Sequence, residues 1–373
     1  MSQKVLITGG LGFLGRHLSR LLLTLGYEVR VIDNLAQHTF SNTNNTAFPI
    51  DTEVEFIQGD LRNQEIIASA LTGVDIVVHF AARGGVIESM NKISEYIDNN
   101  STATAILIES ILKKGGVEKL IVGSGVAVYG EGLYMDQNGK SYPMAARSHE
   151  QLKQGKWDLT EPNGEDLISV PTPEFKPKNP ISIYGQSKFA QEQICLLAGQ
   201  VHNLPIAVLR FFNVYGPGKN IYSPSIDVLT TIGLRLLNNK APLLFEDGFQ
   251  GRDFIHVRDA LEACQRVLEK GFTGNLIYNI GSGKSLSIRE IALKLAIIMG
   301  KDKIQPEVSR KYRFGDMRHC FADITQASTE LGFSPSIDHD SGLIEFAEWL
   351  ERQPISSKTT LISSDVLSKN LTT

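Results

Sequence analysis

Residues 4–15 read KVLITGGLGFLG, and the fold turns on them. A short apolar run, KVLIT, meets a turn carrying Gly9, Gly12 and Gly15, and the turn opens into the helical-looking FLGRHLSRLLLTLG. Outward from it the rhythm repeats: EVRVIDN (28–34), VEFIQGD (54–60), DIVVHFAA (75–82), a long helix around 94–114, and KLIVGSG (119–125). Apolar runs alternating with helical stretches over residues 4–125 are the pattern of a parallel sheet covered on both faces, the α/β class. Residues 131–180 break the rhythm with charges, prolines and glycines, as an insertion over the carboxyl edge of the sheet would. Helix returns at 184–203 and strand at IAVLRFF (206–212). Further helical segments at 226–237, 287–299 and 340–352 predict a smaller lobe. The expected division is a sheet domain over 1–215, with the insertion 131–180, and a second α/β lobe over 216–355 from which 251–270 returns to the sheet. Residues 356–373, SSKTTLISSDVLSKNLTT, are Ser/Thr-rich and read as a loose tail.

Composition narrows the function. The 373 residues are 42% hydrophobic and 21% charged, with a net charge of -4 and no basic block, so nucleic acid is not an expected partner. No apolar run approaches the ~20 residues that span a bilayer, and MSQK leads straight into the first strand. The reading is a cytoplasmic protein with no membrane association. Cys195, Cys264 and Cys320 lack CxxC spacing and read as buried free thiols; the eight histidines show no ligand spacing, and no metal is expected.

A glycine pattern alone signals only a tight turn, but its place between strand and helix suits a pyrophosphate held against the amides at a helix N-terminus. Asp33 ends the second strand about 20 residues on, where a carboxylate bonds ribose hydroxyls and repels a 2′-phosphate, favouring NAD over NADP. Asp60 ends the third strand, either against the adenine edge or as a helix N-cap. Phe13 and Leu14 within the turn, Asn34 beside Asp33, Leu61 beside Asp60, and Ala81 and Ala82 after the fourth strand complete the expected Rossmann-type cofactor site.

In NPISIYGQSKFAQEQ (179–193), Tyr184 and Lys188 stand four apart on a helix, hence on one face. An unperturbed tyrosine, with a pKa of about 10, is a poor base at neutral pH, but an adjacent ammonium and a nicotinium charge both favour the phenolate. Together, TGGLGFLG, YGQSK and LRFFNVYGPG (209–218) resemble the extended short-chain dehydrogenase/reductase family, in particular its nucleotide-sugar epimerases and dehydratases. The resemblance covers residues 3–352. It implies that Tyr184 is the catalytic base and that Lys188 binds the nicotinamide ribose and lowers the tyrosine's pKa. It also implies a Ser or Thr four residues before the tyrosine of VGSGVAVYGEG (122–132), where this chain has Gly125. Either Ser124 is re-aimed, or a water, Tyr129 or an insertion residue takes over the bond, or catalysis is impaired. The adopted reading is a working enzyme with Ser124 as the third group.

Dehydratases of the family carry an acidic pair just after that position, and this chain has Val126 and Ala127, which leaves a redox-only epimerisation. GGVIESMNKISEYIDNN (84–100) resembles a segment running along NAD and sugar, implying roles for Ser89 and Asn100. Asn213, Arg252 and Arg313, the last with Asp316 close by, match positions that hold the nucleotide diphosphate, a task that suits the planar, permanently charged arginine fork. VYGEGLY, PTPEFKP and RFGDMRHCFAD are most similar to a subgroup containing dTDP-L-rhamnose 4-epimerases, although the CxxC pair common near KWDLTEPNGEDL (156–167) is absent. The expectation is an NAD-dependent homodimeric epimerase acting at C4 of a nucleotide-diphosphate sugar. Its rivals are a ketoreductase or dehydratase on the same scaffold, or a non-catalytic NAD binder.

Overall fold

The computed structural model describes residues 2–36, 51–143, 146–161, 163–223, 226–313 and 315–354; the expected tail at 356–373 lies outside them. The strands are β1 (Lys4–Thr8), β2 (Glu28–Asp33), β3 (Glu55–Gln58), β4 (Ile76–His79), β5 (Lys119–Gly125), β6 (Leu133–Met135), β7 (Ser141–Tyr142), β8 (Ile168–Val170) and β9 (Ile206–Phe211). The helices up to residue 202 are α1 (Phe13–Thr24), α2 (Gln64–Ala70), α3 (Val86–Ser89), α4 (Ile93–Tyr96), α5 (Ala103–Lys114), α6 (His149–Lys153) and α7 (Ile183–His202).

Strand 275–280, β9, β5, β4, β1, β2 and β3 form, in that order, one seven-stranded parallel sheet. The apolar runs are continuous because both faces are covered. Leu18 and Leu22 of α1 pack on one face with Val257–Glu269, while Ile67 of α2, Leu107 of α5 and Cys195 of α7 pack on the other. From β1 the order steps outward to β2 and β3 on one side and to β4 and β5 on the other. The carboxyl edge between β1 and β4 is therefore the crevice where such sheets take ligands.

The predicted long helix is α4, a π-helical turn at Ile97–Thr102 and α5 in succession, and the wider turn brings Asn100 fully inside. The lobe has its own core, in which Leu229, Ile232, Ile291, Leu295, Phe346 and Leu350 join helices Val228–Leu237, Ile288–Ile298 and His339–Glu351. One boundary is corrected: the return to the sheet domain extends beyond 251–270. Strand 275–280 pairs with β9, and Ala327, Leu331 and Phe333 pack in the sheet core, since otherwise β9 would be left as an unpaired edge. In the insertion, β6 pairs antiparallel with β7 and β8. All three cysteines are buried thiols.

Candidate active site

Gly9 turns the chain after β1 with φ of 65°, and a Cβ there would sit 2.8 Å from the backbone of Ala81. A Cβ on Gly15 would lie 2.6 Å from the Gly9 carbonyl, so only glycine lets α1 start this close to the turn. The N-cap of α1 is Gly12, with no capping side chain, which leaves the first amides facing the crevice. Asp33 accepts from the amides of Leu11 (3.1 Å) and Leu35 (3.0 Å) and forms the wall beside them. Burial pushes its carboxyl up, and the two amides oppose that. Asp60 is held by Arg62 and by Asn34 Nδ2 (3.1 Å), which keep it well below the usual carboxylate range. The cap of α2 is Asn63, not Asp60. Gly9, Gly12, Asp33, Asn34 and Asp60 line a cleft of about 420 Å³ with Phe13, Leu61, Ala81 and Ala82, bounded on the lobe side by Lys219 and Asp227, which pair at 2.9 Å. Leu14 packs behind the turn on the sheet core. An amide-lined turn that a Cβ would fill, next to a carboxylate, fits a dinucleotide's pyrophosphate and ribose.

Beyond the cleft, α7 begins with Ser182, whose hydroxyl accepts from Gly185 N (3.0 Å). Ser89 accepts from Tyr184 N (3.0 Å) while donating to Val86 O, so its hydroxyl seats the first turn of α7. Tyr184 stacks edge-on against Tyr96, with centroids 6.4 Å apart. Lys188, 4% exposed, donates to Gly123 O and to Gln191 Oε1, both at 2.7 Å. Burial pulls Lys188 down to about 8 and pushes the Tyr184 phenol up.

Ser124 is not turned toward the site. Its hydroxyl donates to Glu192, one turn beyond Lys188, because alternation along β5 points residue 124 at α7. Arg210 pairs with the same carboxylate (2.7 Å) and donates to Tyr129 OH (2.9 Å), which itself donates to Asn279 (2.6 Å). Ser124 and Tyr129 thus share one buried network, and Gly125 is left with no side chain. Asn100, expected at the cofactor, is wholly engaged with the protein: its amide exchanges bonds with Arg83 N and O and donates to Ser187 (2.8 Å).

On the lobe side, Asn213 donates to Asp253 O. Arg252 donates to Asp316 (2.8 Å) and to the carbonyls of Gly251, Met317 and Arg318. Arg313 lies 3.9 Å from the centre of the Phe245 ring, and its Nε is buried without a hydrogen-bond partner among the described residues. Sequence reasoning missed Lys219, which follows directly on LRFFNVYGPG. It also missed Arg147, whose partners are distant in the chain, and Gln191, which bonds Lys188 three residues away and Thr104 and Ala81 far from it.

A tyrosine and a lysine one turn apart beside a dinucleotide cleft are the equipment of short-chain dehydrogenases and reductases, and this chain is an NAD-dependent enzyme of that kind. Residues 5–152 and 158–281 match the NAD dependent epimerase/dehydratase family, to which the chain belongs. The dTDP-L-rhamnose 4-epimerase of Burkholderia thailandensis is 28% identical over 354 residues, covering 94% of this chain and 96% of its own. A UDP-glucose 4-epimerase of Thermotoga maritima, solved with UDP-glucose, is similar with a TM-score of 0.76 at 27% identity, over 94% of this chain and 99% of that one. A dTDP-glucose 4,6-dehydratase of Streptomyces venezuelae, solved with NAD bound, has a TM-score of 0.76 at 26% identity, over 93% and 96%.

Proposed function

We propose that the protein epimerises a nucleotide-diphosphate sugar at C4, with the pair dTDP-L-rhamnose and dTDP-6-deoxy-L-talose as the leading substrates and deoxysugar biosynthesis as its setting. What supports this is the Tyr184–Lys188 pair on α7, with Lys188 tied through Gln191 to the cleft wall at Ala81, and no carboxylate at 126 or 127. Elimination of water needs an acid there, and the next carboxylate along the chain, Glu131, is buried in an ion pair with Arg147 at 3.1 Å. The Gly9–Gly15 turn and Asp33 would hold NAD, which would supply reversible hydride exchange at C4. Tyr184 takes the C4 hydroxyl proton and returns it, and Lys188 favours the phenolate. Between the two transfers the 4-keto sugar turns over, so the nucleotide must be held while the hexose swings. Arg313, with its unpartnered buried Nε, and Arg252 suit that diphosphate grip.

The reading includes a cytoplasmic homodimer. Leu197 and Val201, one turn apart on α7, are 60% and 72% exposed, a stripe that suits a second copy.

The test is proton NMR of the purified protein, without added cofactor, incubated with dTDP-, UDP- and GDP-sugars led by dTDP-L-rhamnose. A stereoisomer growing to an equilibrium ratio, and lost by at least about 10²-fold in rate in Tyr184→Phe, is the expected result. No change with any sugar after NAD is added would favour the reductase or the non-catalytic binder.

A further inference from the structure

We propose that Gln191 is a positioning residue for the catalytic pair: its side-chain carbonyl fixes the place of the Lys188 ammonium and favours its charged form, and its amide ties that bond to the wall of the cofactor cleft. The inference rests on the reading of Tyr184 and Lys188 given above.

Lys188 has three N–H groups and no acceptor, so the atom of Gln191 facing it at 2.7 Å is the carbonyl oxygen, which settles the orientation of the amide. Gln191 Nε2 then donates to Thr104 Oγ1 (2.8 Å) and Ala81 O (3.3 Å), the latter in the cleft wall. Thr104 gives its own proton to Asn100 O (2.6 Å), so its oxygen can only accept, and His79 Nε2–H, 2.8 Å away, is the second donor to it. His79 Nδ1 accepts from Thr8 Oγ1 (2.7 Å), which in turn accepts from Ala81 N. In that tautomer the 3.1 Å approach of Gln191 Nε2 to His79 Nε2 is a contact and not a bond. Every polar atom of this buried chain is satisfied with Gln191 in one orientation, so the amide cannot swing away from Lys188 without stranding partners.

The charges around the ammonium leave the amide room to act. From β4, His79 is kept neutral by burial, its pKa lowered to about 3. On α7, Cys195 is held as a thiol, pushed up to about 12, and Glu192 is bound to Arg210. Tyr184 is a phenol. From β5 only the Gly123 carbonyl reaches Lys188. Two neutral oxygens hold the cation, and Gln191 supplies one of them.

The experiment is a pH titration of the as-isolated full chain carrying [13Cε]lysine, with the Lys188 signal assigned by its loss in Lys188→Met. Gln191→Leu is expected to lower the Lys188 midpoint by about one pH unit and Gln191→Glu to raise it by a similar amount. Where turnover is measurable, the alkaline limb of kcat/KM follows in the same two directions. Midpoints that stay put in both variants, or move the same way in both, would overturn the proposal, since loss of packing has no reason to produce opposite signs. If Gln191→Leu fails to fold, the near-isosteric Gln191→Glu decides by itself: a raised midpoint supports the role and an unmoved one refutes it. The titration reads Lys188 directly, so a mistaken substrate assignment leaves its outcome intact.

Discussion

At Gly125 the backbone is extended, with φ of -165° and ψ of 172°, so any residue can adopt it, and a Cβ there would meet only the Phe211 carbonyl at 3.3 Å. Gly125→Ser is therefore expected to fold with a slight local adjustment and to add a hydroxyl to the site, where those of Ser124 and Tyr129 are bonded to Glu192 and Asn279. A donor at a developing oxyanion is worth about 10²–10³-fold. The predicted result is a rise in kcat, measured with whichever sugar turns over; an unchanged kcat would show that the position is no deficit. At this scale the sequence was legible where the signal was local. Tyr184 and Lys188 share a face because they are four apart on a helix, and the glycines mark a turn because no Cβ fits. The partners of Ser124 and Asn100 were not legible, because Glu192 lies 68 residues from the one and Ser187 lies 87 from the other.

The insertion shows what an element can hide. Its charges and prolines announced irregular chain, and its strands are only two or three residues long. Buried guanidiniums anchor it: Arg147 pairs with Glu131 (3.1 Å) and with Glu246 of the lobe (2.6 Å), and donates to Asp316 O. Arg318 completes the set through Glu246, Asp247 and Asp158. Removing one partner of a buried pair leaves an uncompensated charge, so Arg147→Met is expected to destabilise the protein by about 3 kcal/mol, read from the urea midpoint. A midpoint equal to that of the parent would mean the insertion is held by something else. The π-helical turn at 97–102, which buries Asn100, was equally unreadable, because its hydrophobic pattern is that of an ordinary helix.

For the whole molecule, the exposed pair on α7 makes the prediction. The double variant Leu197→Glu and Val201→Glu is expected to sediment as a monomer at concentrations where the parent is a dimer, while keeping its NAD. A parent that is itself monomeric would remove the dimer from the reading. The sequence by itself determined the parallel sheet, the dinucleotide turn and the Tyr184–Lys188 face, because strand hydrophobicity, glycine backbone freedom and helical period are written within windows of a few residues. Only the tertiary structure decided that strand 275–280 completes the sheet, that Ser124 serves the Glu192–Arg210 pair, that Arg147 fastens the insertion to the lobe, and that Gln191 holds Lys188. Each of these except the last joins segments far apart in the chain, and the last depends on which way an amide points; such choices are made by the burial and satisfaction of polar groups in the packed molecule, which no local pattern records.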